Sequence, residues 1–278
     1  MGKFINPFTD EGFKRIFGQE ISKPILLTFL NTLLEGEYHI VDLKYLDKEL
    51  LGIADDDRSL IYDIYCELDS GDHIIVEMQN KSQPYFKNRS IYYLSRSITM
   101  QGERGPEWKY DVKATILVAF LNFRQKDISA DFRTDVALMD MRHRTLFSDR
   151  MRLIYLQLPL FQKELEDCEN VFEQMIYVLK NMDVLQRMPE LLQNAVFKKI
   201  AGIAEVASLS KDERIRYDAS IRHFRDTLAV MEGQYLEGME KGVEANRRDS
   251  ARKMKADGMA VELIEKYTGL SIAEINEL

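Results

Sequence analysis

Residues 61–81, IYDIYCELDSGDHIIVEMQNK, decide the fold. Two apolar runs flank a turn-forming centre, and their alternation has a period of two, so the stretch reads as a β-hairpin. Each run carries an acid deep among apolar neighbours: Asp63 beside Ile61, Tyr62, Ile64 and Tyr65, and Glu77 inside IIVEM. A lone carboxylate in such a strand is costly unless it is paired or bound to a cation. Whether the two acids meet depends on the loop. A three-residue turn, Asp69-Ser70-Gly71 with Gly71 in the left-handed position, sets Leu68 opposite Asp72 and Asp63 opposite Glu77. A two-residue Ser70-Gly71 turn would separate the acids, because a slip of one residue exchanges the faces of a strand. The first register is expected. In it Ile61, Asp63, Tyr65, Glu77 and Gln79 share one face, while Tyr62, Ile64, Cys66, Ile74, Val76 and Met78 point to the core.

Working outward, HIVDLKYLD at 39–47 alternates in the same way, which makes three consecutive antiparallel strands. Before them, residues 9–17 form a short helix capped by Thr9, with acids in its first turn and Phe13, Ile16 and Phe17 as its apolar stripe. A second helix covers about 23–34. After the hairpin, Pro84 opens a helix that runs to about Gln101 and stops before GERGPEW. KATILVAFLNF at 113–123 follows as a strand without alternation, expected to be buried on both faces. Further strands are expected at 134–141 and 153–158.

From 171 to 231 three helical segments are separated by punctuation at Met188-Pro189 and at 208–210. Residues 232–257 are charged and carry Gly233, Gly238 and Gly242, so they read as a marginal helix or a connector, and their basic run RRDSARKMK reads first as a solvated face. The tail, MAVELIEKYTGLSIAEINEL, is helix, turn at Gly269, helix, with Ser271 and Glu274 as a capping box. Its form is that of a helix-turn-helix half, but its second helix is acidic, which favours packing or oligomerisation over reading of DNA. The divisions expected are 1–160, 161–231 and 232–278.

The chain has 278 residues, 45% hydrophobic and 30% charged, with a net charge of -8. That composition is that of a globular protein. No apolar run of about 18 residues could span a bilayer and no signal-peptide pattern opens the chain, so a cytoplasmic location is expected. Cys66 and Cys168 make neither a disulfide framework nor a zinc cluster, and the four histidines are isolated. A metal would therefore rest on carboxylates, which select hard ions such as magnesium, calcium or manganese. Asp55, Asp56 and Asp57 lack the glycine and closing glutamate of a calcium loop and read as a solvated turn. The acidic balance argues mildly against nucleic acid, whose phosphates need clustered Lys and Arg.

TDEGFKRIFG at 9–18, Asp63 ahead of the hairpin, EMQ at 77–79, and the following helix with Arg89 and Tyr93 together resemble the PD-(D/E)XK nuclease superfamily. Within it they are most similar to the recombination-promoting nuclease and transposase group, in which Glu-x-Gln is frequent. The resemblance covers about residues 5–160. It implies an α/β fold of restriction-endonuclease type, a mixed sheet of five or more strands flanked by helices and followed by a helical C-terminal region. It implies hydrolysis of DNA phosphodiesters with Mg2+, Mn2+ being an acceptable substitute. Asp63, Glu77 and the main-chain carbonyl of Met78 would hold the ion, Gln79 would occupy the usual lysine position, and Asp10 would be an additional acid. Glutamine is uncharged and can orient water but cannot act as a cationic base. Lys81 or Lys87 could supply that charge. Arg89, Tyr92, Tyr93 and Arg96 lie at helical spacing, with Arg89 and Arg96 as candidate phosphate contacts. The rival reading is a nuclease-like module that binds DNA or protein without cutting, and a homodimer through the C-terminal helices is a further possibility.

Overall fold

In the computed structural model the described residues are all but 1, 48, 51–59, 104 and 106; the Asp55–Asp57 turn lies outside them. Helix α1 (Asp10–Phe17) begins where Thr9 accepts the Gly12 N–H, and buries Phe13, Ile16 and Phe17. Helix α2 (Lys23–Leu33) has proline in its first turn and buries Ile25, Leu26, Phe29, Leu30 and Leu33. Both match the apolar spacing.

Among the described residues eight strands follow one another: β1 (Leu43–Tyr45), β2 (Glu49–Leu50), β3 (Leu60–Ile61), β4 (Ile64–Leu68), β5 (His73–Gln79), β6 (Thr115–Leu121), β7 (Arg133–Asp140) and β8 (Thr145–Gln157). Six form a mixed sheet in the order β1-β4-β5-β6-β8-β7, and β2 pairs with β3 apart from it. β1, β4 and β5 are the expected antiparallel meander. Helix α3 (Phe86–Thr99) then carries the chain over, so β5, β6 and β8 run parallel. The hairpin register is the expected one: Ile64 opposes Val76 and Cys66 opposes Ile74. Gly71 sits at φ +83° and the Leu68 N–H donates to Asp72 O at 2.8 Å. Glycine meets that dihedral without the Cβ penalty other residues incur.

Both faces of the central strands are covered, as the unbroken apolar run of β6 requires. On one face Phe120 lies among Phe13, Phe17 and Phe29, with ring centroids 5.1–5.8 Å apart. On the other, Tyr65, Ile75, Leu117, Ala119, Leu121, Leu153 and Tyr155 pack with Phe86 and Leu94 of α3. Three expectations are corrected here. The face that bears Glu77 is no open surface, since α3 covers it and buries Tyr65. Tyr62 belongs to that same face: its ring stacks near Tyr65 and Tyr93, and its hydroxyl donates to Tyr93 O. The chain bends at Asp63, which breaks the alternation just ahead of β4. The last strand also begins at Thr145 rather than near 153, because β7 and β8 form a hairpin longer than the buried part of the sheet.

Helices α4 (Val171–Asn181) and α5 (Ala195–Ala204) are capped by Asn170 and Asn194, and α6 (Lys211–Ala256) follows. The N-terminal segment is tied to them through Ile5 N–H to Ala204 O and Asn6 N–H to the Tyr217 hydroxyl, both 2.8 Å. Contacts divide the chain into Met1–Ile221 and Arg222–Leu278. In the second unit, the stretch that reads as marginal helix or connector is helical throughout. Ion pairs one turn apart, Glu237–Lys241, Glu244–Arg248 and Asp249–Lys253, offset part of the cost of its three glycines and neutralise part of the basic run. Helices α7 (Val261–Thr268) and α8 (Ile272–Glu277) join at Gly269, φ +70°, with the Ser271–Glu274 capping box formed. Ile264, Leu270 and Ile275 close on Ala251 as a small core. Among the described residues no helix is long and apolar enough to cross a membrane.

Candidate active site

The hairpin brings Asp63 and Glu77 into contact across the β4–β5 ladder. Each carboxylate accepts from the other strand's backbone: the Asp63 N–H donates to Glu77 Oε1 at 3.2 Å, and the Met78 N–H donates to Asp63 Oδ2 at 2.8 Å. Gln79, two positions along the same face, places its Nε2 3.4 Å from Glu77 Oε2. In an antiparallel ladder a residue's N–H and C=O point to the same side. The Met78 carbonyl is therefore directed to the edge where Asp63 stands.

Glu77 is 4% exposed. Burial, reinforced by the Asp63 charge, pushes its carboxyl up to about 8, against the opposing pull of the Asp63 N–H, Arg89 and Gln79. Burial and the Glu77 charge likewise raise the Tyr93 hydroxyl. A buried acid pressed against a second acid has two remedies, a shared proton or a cation. Two carboxylates and a carbonyl are hard oxygen donors, the set that a small divalent ion prefers. The residues present thus fit such an ion.

The other expected residues are placed less closely. Asp10 is in the first turn of α1, its side chain 58% exposed and paired with Lys14 at 2.6 Å. It stands near the same end of the sheet, because Asn80 beside Gln79 donates to Phe8 O at 2.6 Å. Among the described residues no three His, Cys, Asp or Glu side chains converge, so Asp10 does not complete a three-acid cluster. Lys81 is exposed just past β5, and Lys87 faces Asp127. Arg89 is held by Gln83 Oε1 at 2.8 Å and lies over the rings of Phe86 and Tyr93, near enough for its charge to act on Glu77. Arg96 departs from the expected exposed stripe. It is 8% exposed, and its charge acts on Tyr62.

Two contributors escape a reading of the sequence alone. Asn80 ties β5 to the segment before α1, and its Oδ1 accepts from Asn122, whose own N–H donates to Gln79 O. Gln83 fixes the direction of Arg89. Both are polar residues in the Asn-, Ser- and Pro-containing turn at 80–84, where local turn chemistry explains them equally well.

A family model described as PD-(D/E)XK nuclease family transposase matches residues 7–234, which spans α1, the whole sheet, α4, α5 and the first part of α6. Comparison with curated proteins and with solved structures finds no match. The six-stranded mixed sheet flanked by helices is the restriction-endonuclease-like arrangement that such nucleases use. With well over half of its length matched, the chain belongs to the PD-(D/E)XK nuclease family transposases.

Proposed function

We propose that this protein is a divalent-metal-dependent DNA endonuclease that hydrolyses phosphodiester bonds in the cytoplasm, serving transposition, recombination or defence, with magnesium as its ion and manganese as a working substitute. Family membership supports nuclease chemistry in general terms. The observation that carries the finer reading is the reciprocal contact of Asp63 and Glu77 at one end of a hairpin, with the Met78 carbonyl on the same edge.

A divalent cation held by these three groups would supply a Lewis acid that lowers the pKa of water and offsets charge on the scissile phosphate. The remaining work falls to the chain. Gln79 has both a donor and an acceptor beside Glu77 and orients the attacking water, but without a charge it cannot take the part of a cationic base. Lys81 brings positive charge past the end of the strand. Arg89, preorganised by Gln83 and two aromatic rings, contacts a phosphate oxygen. Asp10 acts as an auxiliary acid at the same end of the sheet. Residues 1–160 are assigned the chemistry, 161–231 a helical brace, and 232–278 an accessory tail through which two copies associate.

The test is nicking of supercoiled plasmid in magnesium or manganese. Unsubstituted protein should convert it and Asp63→Ala should not; full activity in Asp63→Ala would end the assignment. A second reading, a nuclease fold that binds without cutting, is favoured by the neutral Gln79 and by the absence of a converging third acid among the described residues. Failure of the unsubstituted chain to nick at any ionic strength selects it.

A further inference from the structure

The β7–β8 hairpin extends well beyond the sheet it belongs to. Met151 of β8 is level with Thr115, the first residue of β6, so residues 145–150 continue past its neighbour. Beyond that point the ribbon is exposed and apolar: Met141 is 85% exposed, Phe147 77% and Leu146 64%. Two irregularities in register, between Val136 and Leu138 and between Leu138 and Met139, bend this part of β7.

The tip is a built turn rather than a loose end. The Arg144 N–H donates to Asp140 O at 2.7 Å, and Asp140 Oδ1 accepts from the N–H groups of Arg142 and His143. His143 Nδ1 lies 2.7 Å from Asp140 Oδ2. The Asp140 carboxylate is thus engaged within the turn. Arg144 holds φ +55°, a dihedral that glycine or asparagine would adopt more easily.

The arginines of the hairpin fall into two classes. Along the stem Arg133 pairs with Asp135, Arg152 with Asp135 and Glu37, and Arg150 stands 4.0 Å from Asp72. At the tip, among the described residues, neither Arg142 nor Arg144 makes an ion pair. In a chain of net charge -8, two uncompensated guanidinium groups flanked by exposed Met141 and Phe147 form a local basic and apolar point.

Its distance from the candidate site is set by the ladder. Glu77 is level with Ala119 and Tyr155. Tyr155 is ten residues from Thr145, the first of β8. At ~3.3 Å per residue that separation is ~33 Å. One turn of B-DNA is about 34 Å, so a duplex whose axis runs parallel to β8, outside the covering helices, presents the same groove at both places. A two-stranded ribbon fits the major groove, and exposed apolar side chains can rest on base and sugar edges.

We propose that the β7–β8 tip is a DNA-gripping arm that contacts duplex about one helical turn from the cleavage site, with Arg142 and Arg144 on phosphates and Met141 and Phe147 in the groove. This rests on the DNA reading given under Proposed function and adds the arm and its span to it.

The test is fluorescence anisotropy of the full chain in EDTA, where no hydrolysis occurs, with a duplex of about 40 base pairs and a hairpin-closed duplex of about 8 base pairs, ~27 Å long. Arg142→Ala/Arg144→Ala should weaken binding to the long duplex and lower the slope of log K against log salt by about 2, one for each phosphate contact. On the short duplex, which cannot reach both places, the double variant should match the unsubstituted chain. Arg144→Gly should keep or raise the melting temperature while losing affinity, which separates a contact from a structural role. If the unsubstituted chain binds the long duplex and the double variant has the same slope, the arm is overturned and the DNA reading stands. If the unsubstituted chain binds neither duplex, both fall. If Met141→Asp/Phe147→Asp lowers the solution mass and leaves DNA affinity unchanged, the tip is an interface between copies and the arm is overturned.

Discussion

Replacing Glu77 by Gln isolates the energetic cost of the candidate site. In the protein without metal, burial and Asp63 hold the Glu77 carboxyl at about 8 against an ordinary 4.5. The folded chain therefore binds this proton more tightly than the unfolded chain does. The consequent stability is fully present below pH 4.5 and is lost as pH rises toward 8. At 1.36 kcal/mol for each pH unit of the interval, the loss by pH 7.5 is on the order of 4 kcal/mol, a large part of a typical domain's stability. Glutamine keeps the shape and cannot ionise. Its carbonyl can still accept from the Asp63 N–H, and Gln79 can turn its amide to face the new NH2 group. Urea unfolding in EDTA at pH 5, 6, 7 and 8 reads the effect. The unsubstituted chain should lose stability over that range, and Glu77→Gln should remove most of this slope and be the more stable protein at pH 8. An unsubstituted chain whose midpoint is flat from pH 5 to 8, or a variant with an unchanged slope, would refute the reasoning.

Gln79→Lys places a cation beside the buried acid, so the stability loss between pH 5 and 8 should shrink and nicking activity should be retained or rise; an unchanged pH slope would count against the contact between positions 77 and 79. Phe120→Ala, at the centre of the Phe13, Phe17 and Phe29 cluster, should cost ~3–5 kcal/mol in denaturant unfolding, and a loss below 1 kcal/mol would contradict that packing. Gly71→Ala meets only ordinary contact with the Lys113 side chain, so its cost should be the backbone term of about 1 kcal/mol at φ +83°, read as a small drop in melting temperature. Sedimentation of the full chain tests the association assigned to residues 232–278, which expects twice 32.5 kDa; a monomer mass removes that assignment.

The hairpin was legible because its signals agree: period-two alternation, a turn at Asp69-Ser70-Gly71, and two acids, Asp63 and Glu77, at positions that a three-residue loop sets opposite. The caps of α1 and α8 were legible for the same reason, since Thr9, Ser271 and Glu274 act within one turn of their own backbone. What could not be read is governed by partners distant in the chain. Arg96 sits at the same helical spacing as Arg89, yet only the tertiary surroundings of α3 decide that Arg96 is buried while the charge of Arg89 acts on Glu77. Tyr62 follows the alternation in sequence and leaves it in space, because the bend at Asp63 turns its ring toward Tyr93. The length of the β7–β8 ribbon was hidden by its exposure: with neither face buried, residues 145–152 carry no alternation to find. Asp10 shows the limit for the site itself, since its place on α1 one turn from Lys14 was readable, whereas whether α1 carries it to Glu77 depends on docking between distant parts of the chain.

The most direct examination of the central claim is calorimetric titration of manganese into the full chain and into Asp63→Asn and Glu77→Gln. The account expects one ion bound per chain by the unsubstituted protein and loss of that binding in either variant, since neither carboxylate suffices alone. Equal manganese affinity in all three proteins would contradict it.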